Sequence, residues 1–209
     1  MINSEPHERE DGLKPTLYDG SIGKIMPVVY VRGKLAHVGQ IYSGLNPINL
    51  LSEIIRKTEL NTEFIERVGN TTNPPPTWLY HKDRKTVYDV SLPISTCGYM
   101  SILPLRSTPK SIMDNLKNIC IESFKKVIED MNESYKTYTN IAEIEYKRLN
   151  WESNVKLYSE LYNEAIRDSG ENFEKSYKNL MMQIKEKFNS NKMTTIEAAI
   201  AIIEKTLEY

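Results

Sequence analysis

Two positions constrain this chain more than any others: Asn46-Pro47 and Thr108-Pro109, each a small capping residue followed by proline and then by apolar residues at helical spacing. A side-chain oxygen at the cap satisfies an N–H that the first helical turn leaves orphaned, and proline loses nothing at the first helical position. The residue ahead of a proline is also pushed towards the extended geometry that a cap requires. Ile48, Leu51, Ile54 and Ile55 form the stripe of the first predicted helix. Ile112, Leu116, Ile119, Cys120, Val127, Ile128 and Met131 form that of a longer, one-sided second helix.

The segments around these helices read as strands. Residues 15–18 and 24–31 are rich in β-branched and aromatic side chains and flank the turn composition of 19–23, so they are predicted to pair. Residues 62–68 read as a short helical piece ended by Gly69, and 70–76, with its triple proline, as a loop. Residues 77–80 and 87–90 read as short strands around the charged turn 81–84, and 94–103 as a longer central strand in which Gly98 marks a bulge. Strand, helix, paired strands, helix is the opening of a ferredoxin-like α+β sandwich, with both helices on one face of an antiparallel sheet. A closing strand is expected next. Residues 149–157 suit it, since Trp151, Val155 and Leu157 share one face of an extended segment, but Val155, Tyr158 and Tyr162 fit a helix equally well. The pattern does not choose between them.

Beyond that point the tail reads as helical. A helix over 161–167 is predicted to end near Gly170; Phe173, Tyr177, Leu180, Ile184 and Phe188 form a second stripe. Thr194-Thr195-Ile196-Glu197 matches a capping box ahead of Ile200, Ile203 and Leu207. The expected organisation is therefore a ferredoxin-like domain over 1–140 and a mainly helical extension over 141–209. A chain of 209 residues is long enough for both.

Charge excludes one class of partner. Residues 1–140 carry 17 basic against 16 acidic side chains and 141–209 carry 10 against 12, so neither part has the surplus that neutralises a phosphate backbone. No apolar run approaches the ~20 residues of a membrane span, and the first eleven residues are polar and acidic, unlike a signal peptide. A soluble, cytoplasmic protein is expected. Cys97 and Cys120 sit far apart in apolar periodic segments, and read as small buried hydrophobes in a reducing compartment.

One histidine is placed unlike the others. In Gly33-Lys34-Leu35-Ala36-His37-Val38-Gly39, His37 lies on a glycine-flanked turn after an apolar strand, where an imidazole can be aimed outward. By itself it reads first as a turn residue bonded to a local carbonyl. His81-Lys82-Asp83 matches a His-x-Asp metal motif by letter, but its charged setting makes it a chance match.

Five motifs in order carry a resemblance: Ile2-Asn3-Ser4-Glu5-Pro6-His7, Gly20-Ser21-Ile22-Gly23-Lys24, His37-Val38-Gly39, Ser43-Gly44-Leu45-Asn46 and the prolines 74–76. Together they resemble the arginine-utilisation branch of the zinc aminoacylase and carboxypeptidase family of metallohydrolases, well over residues 2–138 and loosely over the tail. In that family an inserted ferredoxin-like lid or dimerisation domain interrupts a two-zinc catalytic domain, and this chain resembles the insert. The resemblance implies hydrolysis of an amide or peptide bond in amino-acid catabolism. It makes Glu5 the counterpart of an acidic zinc ligand, and His37 that of a lid histidine which stabilises the oxyanion of a neighbouring active site. It makes Asn46 the counterpart of a lid residue that helps bind the substrate's carboxylate end. An N-cap alone accounts equally well for Asn46.

The family's other zinc ligands, its His-x-Asp motif and its paired glutamates have no counterpart here. The chain thus resembles an isolated domain or a truncated reading frame. Zinc is expected in the intact parent, none is expected bound to this chain alone, and the chain alone is expected to be inactive. The expected partners are its own catalytic domain or a neighbouring subunit, or a second copy joined at an open edge of the first strand. Two further readings are a free-standing interaction module pairing through its sheet edge and a small-ligand sensor built on the same sandwich.

Overall fold

The computed structural model describes residues 22–209, so the predicted strand at 15–18 and Glu5 lie outside the described residues. Strand β1 (Val28–Arg32) leads through the loop 33–46 into helix α1 (Pro47–Thr58). A small hairpin of β2 (Arg67–Val68) and β3 (Thr71–Thr72) follows, then β4 (Thr77–Asp83), β5 (Ser95–Ser101) and the long helix α2 (Pro109–Ile141). Helices α3 (Tyr158–Asn189) and α4 (Thr195–Thr206) complete the chain.

The predicted α+β class is borne out. The main sheet is antiparallel in the order β1-β5-β4, which places the most deeply buried strand in the centre. Both proline-started helices form where the cap signals put them: Asn46 accepts from the Ile48 N–H, and Thr108 from the Ser111 N–H. They pack on one face of the sheet. Val31, Leu50, Leu51, Ile54, Val127 and Ile128 form one buried cluster, and Phe64, Met100, Ile102, Ile112, Leu116 and Ile119 a second. Each such side chain contributes roughly 1.5–3 kcal/mol when fully withdrawn from water.

Gly98 marks a close approach as well as the neighbourhood of a bulge. The register of β4 on β5 shifts between Trp78 and Tyr80, and a Cβ at Gly98 would stand 2.8 Å from the Trp78 ring and 2.5 Å from the Tyr80 carbonyl oxygen. The Trp78 ring thus lies against the central strand, while its indole N–H donates to Thr58 Oγ1 at 2.7 Å and its backbone N–H to Glu59 at 2.7 Å. Strand β4 is thereby clasped to the end of α1.

Four expectations need correction. His81 lies within β4, opposite Gly98, because that strand runs on to Asp83 instead of turning at 81. Residues 87–90 form no strand; Val87, Tyr88 and Val90 are exposed on a loop, having no sheet partner to reward their β propensity. Residues 62–68 split into a single 3-10 turn and strand β2. Gly170 bends helix α3 without ending it, taking φ 46° and ψ −124°, a backbone region that costs glycine little.

Residues 149–157 form neither strand nor helix. They run extended, with alternating exposure, until α3 starts at Tyr158. Buried Asn132 on α2 holds one end, its side-chain amide donating to the Leu149 carbonyl at 3.0 Å and its oxygen accepting the Leu149 N–H at 2.8 Å and the Tyr146 hydroxyl at 3.0 Å. At the other end the Leu157 N–H donates to Glu160, which also pairs with Lys117 of α2 at 2.7 Å. The tail then returns to the sheet face opposite α1 and α2. There Glu204 of α4 accepts from the Tyr30 hydroxyl at 3.2 Å and pairs with Arg84 at 3.0 Å, over the fully buried Cys97. Phe173, fully buried among Tyr162, Tyr177 and Tyr209, knits α3 to the end of the chain.

Candidate functional site

The loop 33–46 leaves the end of β1 and returns to the start of α1. Lys34 and Leu45 close its base with reciprocal backbone hydrogen bonds of 3.0 and 2.9 Å. That closure needs Gly33, where a Cβ would fall 2.3 Å from the Leu45 carbonyl oxygen. Farther out, the loop pairs with the loop 84–94: Val38 N–H donates to the Val90 carbonyl and Leu92 N–H to that of Ala36, both at 2.9 Å. The second loop is tied internally. Lys85 Nζ reaches the carbonyls of Asp89 and Ser91 at 2.8 and 2.7 Å. Lys85 and the Ser91 hydroxyl and N–H, all bonded to the Asp89 carboxylate, hold its pKa well below the usual carboxylate range.

His37 sits where the two loops meet, bridged to Ser91. It caps a short 3-10 segment, Val38–Ser43, with extended φ and ψ of −67° and 144°, and its Nδ1 accepts the Gly39 N–H at 3.0 Å. An accepting Nδ1 leaves the ring proton on Nε2, so the exposed imidazole presents a single N–H donor outward. The local bond goes to an N–H, the opposite sense from the carbonyl contact expected of a turn histidine. Tyr42 anchors the segment by stacking on Tyr135 with centroids 4.6 Å apart, and its hydroxyl lies 2.9 Å from Ser134 Oγ. The donor is therefore carried on a braced loop.

Asn46 is half-buried at the base of the same loop, its Oδ1 accepting the Ile48 N–H at 3.0 Å. Its amide NH2 has no hydrogen bond among the described residues. His37 and Asn46 share no hydrogen bond and line no common cavity there. Among the described residues no group of three His, Cys, Asp or Glu side chains is placed to hold a metal ion. Both cysteines are free thiols; burial pushes the pKa of Cys97 up and that of Cys120 to about 11, so neither is a ready nucleophile.

Sequence reasoning missed a groove of about 480 Å³ along β1. Its walls are β1, helices α1 and α2, and the extended residues 151–157, with Leu50, Ile54, Leu116, Cys120 and Phe124 in the lining. The alternation of Trp151, Val155 and Leu157 was its signal, since a segment with one apolar face must lay that face against something.

An antiparallel sheet with two helices on one face, a helical tail on the other and a braced histidine loop at the strand ends defines a mixed α+β domain. No protein-family model matches the chain. It is similar to Protein RocB of Bacillus subtilis (strain 168), with 31% identity over 155 residues that make up 74% of this chain and 27% of RocB. It is also similar to the uncharacterized protein YqjN of the same organism, with 26% identity over 171 residues, 81% of this chain and 31% of YqjN. The chain is thus a RocB-like domain, and it spans about a third or less of either relative's length.

Proposed function

We propose that this chain serves as the lid or dimerisation domain of a RocB-like zinc metallohydrolase, in which His37 donates to the oxyanion formed as an amide or peptide bond is attacked. The similarity to a segment covering 27% of RocB supports a role as part of a larger protein. The outward Nε2–H of a backbone-braced histidine is the observation that carries the role of His37. A donor fixed before the charge develops needs no reorganisation at the moment of reaction, and removal of one such donor typically costs about 10²–10³ in turnover. Asn46, at a helix start and with its amide NH2 unbonded among the described residues, is the candidate for the substrate's carboxylate end. The described residues do not fit a zinc site, so in this reading the metal belongs to a catalytic domain outside this chain, in an amino-acid or arginine catabolic setting. Glu5 would be its contribution to that metal.

Pairing with a neighbouring subunit falls to β4 in this reading. Residues 151–157 run beside β1, whereas β4 is the other edge of the sheet and carries an exposed Leu79. The test is a chimera in which this chain replaces the matching segment of RocB, assayed on N-acyl amino acids. His37→Ala is expected to lower turnover at least a hundredfold with zinc content unchanged. Turnover equal to that of the unsubstituted chimera removes His37 from the mechanism.

A further inference from the structure

The backbone bonding of β1 is lopsided. Met100 N–H donates to the Pro27 carbonyl, Gly33 N–H to that of Ile94, and Ile25 exchanges both bonds with Ile102, so odd-numbered residues of this stretch bond towards β5. In an antiparallel pair the intervening residues turn their N–H and C=O groups the other way. For Val28, Tyr30 and Arg32 that way is the groove, and no backbone hydrogen bond joins them to residues 151–157 among the described residues. A row of unpaired peptide groups facing a cavity is a ready surface for another strand.

We propose that the groove takes one extended polypeptide strand, which pairs with Val28, Tyr30 and Arg32 and slides between β1 and residues 151–157. This inference goes beyond the hydrolase reading and does not depend on it. The slot has extended backbone on both sides, with residues 151–157 pinned at Asn132 and at Glu160. The β1 edge of a second folded copy carries its own flanking segment and helices and cannot enter; a lone strand can. Strand addition draws affinity from main-chain bonds and specificity from pockets for alternate side chains. Guest side chains on the α1/α2 side enter among Leu116, Cys120 and Phe124, which asks for apolar residues at every second position. Arg32 and Lys34 line the groove where β1 ends; neither pairs with a carboxylate among the described residues, and Lys34 lies over the Trp151 ring at 4.9 Å. An acidic residue at the guest's end complements them. Three outward residues at alternate positions set the paired length at about five residues.

The full chain is titrated with the peptide Ac-Glu-Val-Thr-Ile-Thr-Glu-NH2, and amide exchange at Val28, Tyr30 and Arg32 is followed by NMR together with alkylation of Cys120. Saturable binding is expected, with at least tenfold slower exchange at the three amides and slower alkylation of Cys120. The same peptide with its alternate amides N-methylated, which cannot pair, is expected to bind at least tenfold more weakly, and Val28→Pro to weaken the unmodified peptide. Equal binding of both peptides, or no binding at millimolar concentration, overturns the proposal. So does protection of the three amides before peptide is added: in a monomer it means the chain covers its own edge, and in a dimer that a second copy does.

Discussion

Glu66 offers a direct test of how the turn into α2 is held. Its carboxylate accepts the backbone N–H groups of Leu105, Arg106 and Ser107 at 2.6, 2.8 and 2.9 Å, and the Ser107 hydroxyl as well. The Ser107 hydroxyl leads these bonds in drawing the Glu66 pKa from 4.5 down to about 2. Taken whole, that fall is worth ~3.4 kcal/mol at ~1.36 kcal/mol per pH unit. Solvent screening at the rim of the fold reduces it to about 1–2 kcal/mol. Because the folded value lies below the unfolded one, the contribution is complete above about pH 4.5 and is lost as the pH falls towards about 2. Glu66→Gln keeps the shape and removes the charge. Urea unfolding at pH 7 should show the variant less stable by about 1–2 kcal/mol, with the difference shrinking between pH 4.5 and 2 and gone below that range. An equal difference at pH 7 and at the acid limit, or none at pH 7, would refute the reasoning.

Gly98→Ala places a methyl against the Tyr80 carbonyl and the Trp78 ring, and overpacking of this kind costs about 1–3 kcal/mol; an unchanged urea midpoint would show that β4 gives way freely. Asn132→Leu strips Leu149 of both backbone partners and the Tyr146 hydroxyl of its acceptor, for an expected loss of about 2–3 kcal/mol. Hydrogen exchange at the Leu149 amide should quicken at least tenfold in that variant, and unchanged protection there would mean that the segment is held elsewhere.

Capping was the most legible layer of this sequence. Asn46, Thr108 and Thr194 each cap the helix they announce, because a cap is a local contract between one side chain and an N–H two or three residues on. The central strand and the two-helix face followed from the order of elements. What stayed hidden depends on distant partners. Val87 and Val90 carry strand propensity, yet the bonds from Lys85 to Asp89 and Ser91 fix the segment as a loop. Residues 149–157 satisfy strand and helix patterns alike, and partners that the local pattern does not show, Asn132 at Leu149 and Lys117 through Glu160 at Leu157, hold them extended beside β1. The outward histidine was legible from its glycine-flanked turn, whereas the bond that orients it, Gly39 N–H to Nδ1, needed coordinates. The groove was invisible because four separate stretches of chain build its walls.

The bond between Tyr30 and Glu204 spans 174 positions and ties the first described strand to the last helix. A chain made from its amino end therefore completes β1, α1, β4, β5 and α2 well before the helix that roofs the far side of the sheet emerges from the ribosome. Until then Tyr30 and Cys97 stand uncovered on a face that attracts chaperones and proteases. Premature termination anywhere before Glu204 would leave that face permanently bare, so a nascent chain stays open to both until α4 has docked.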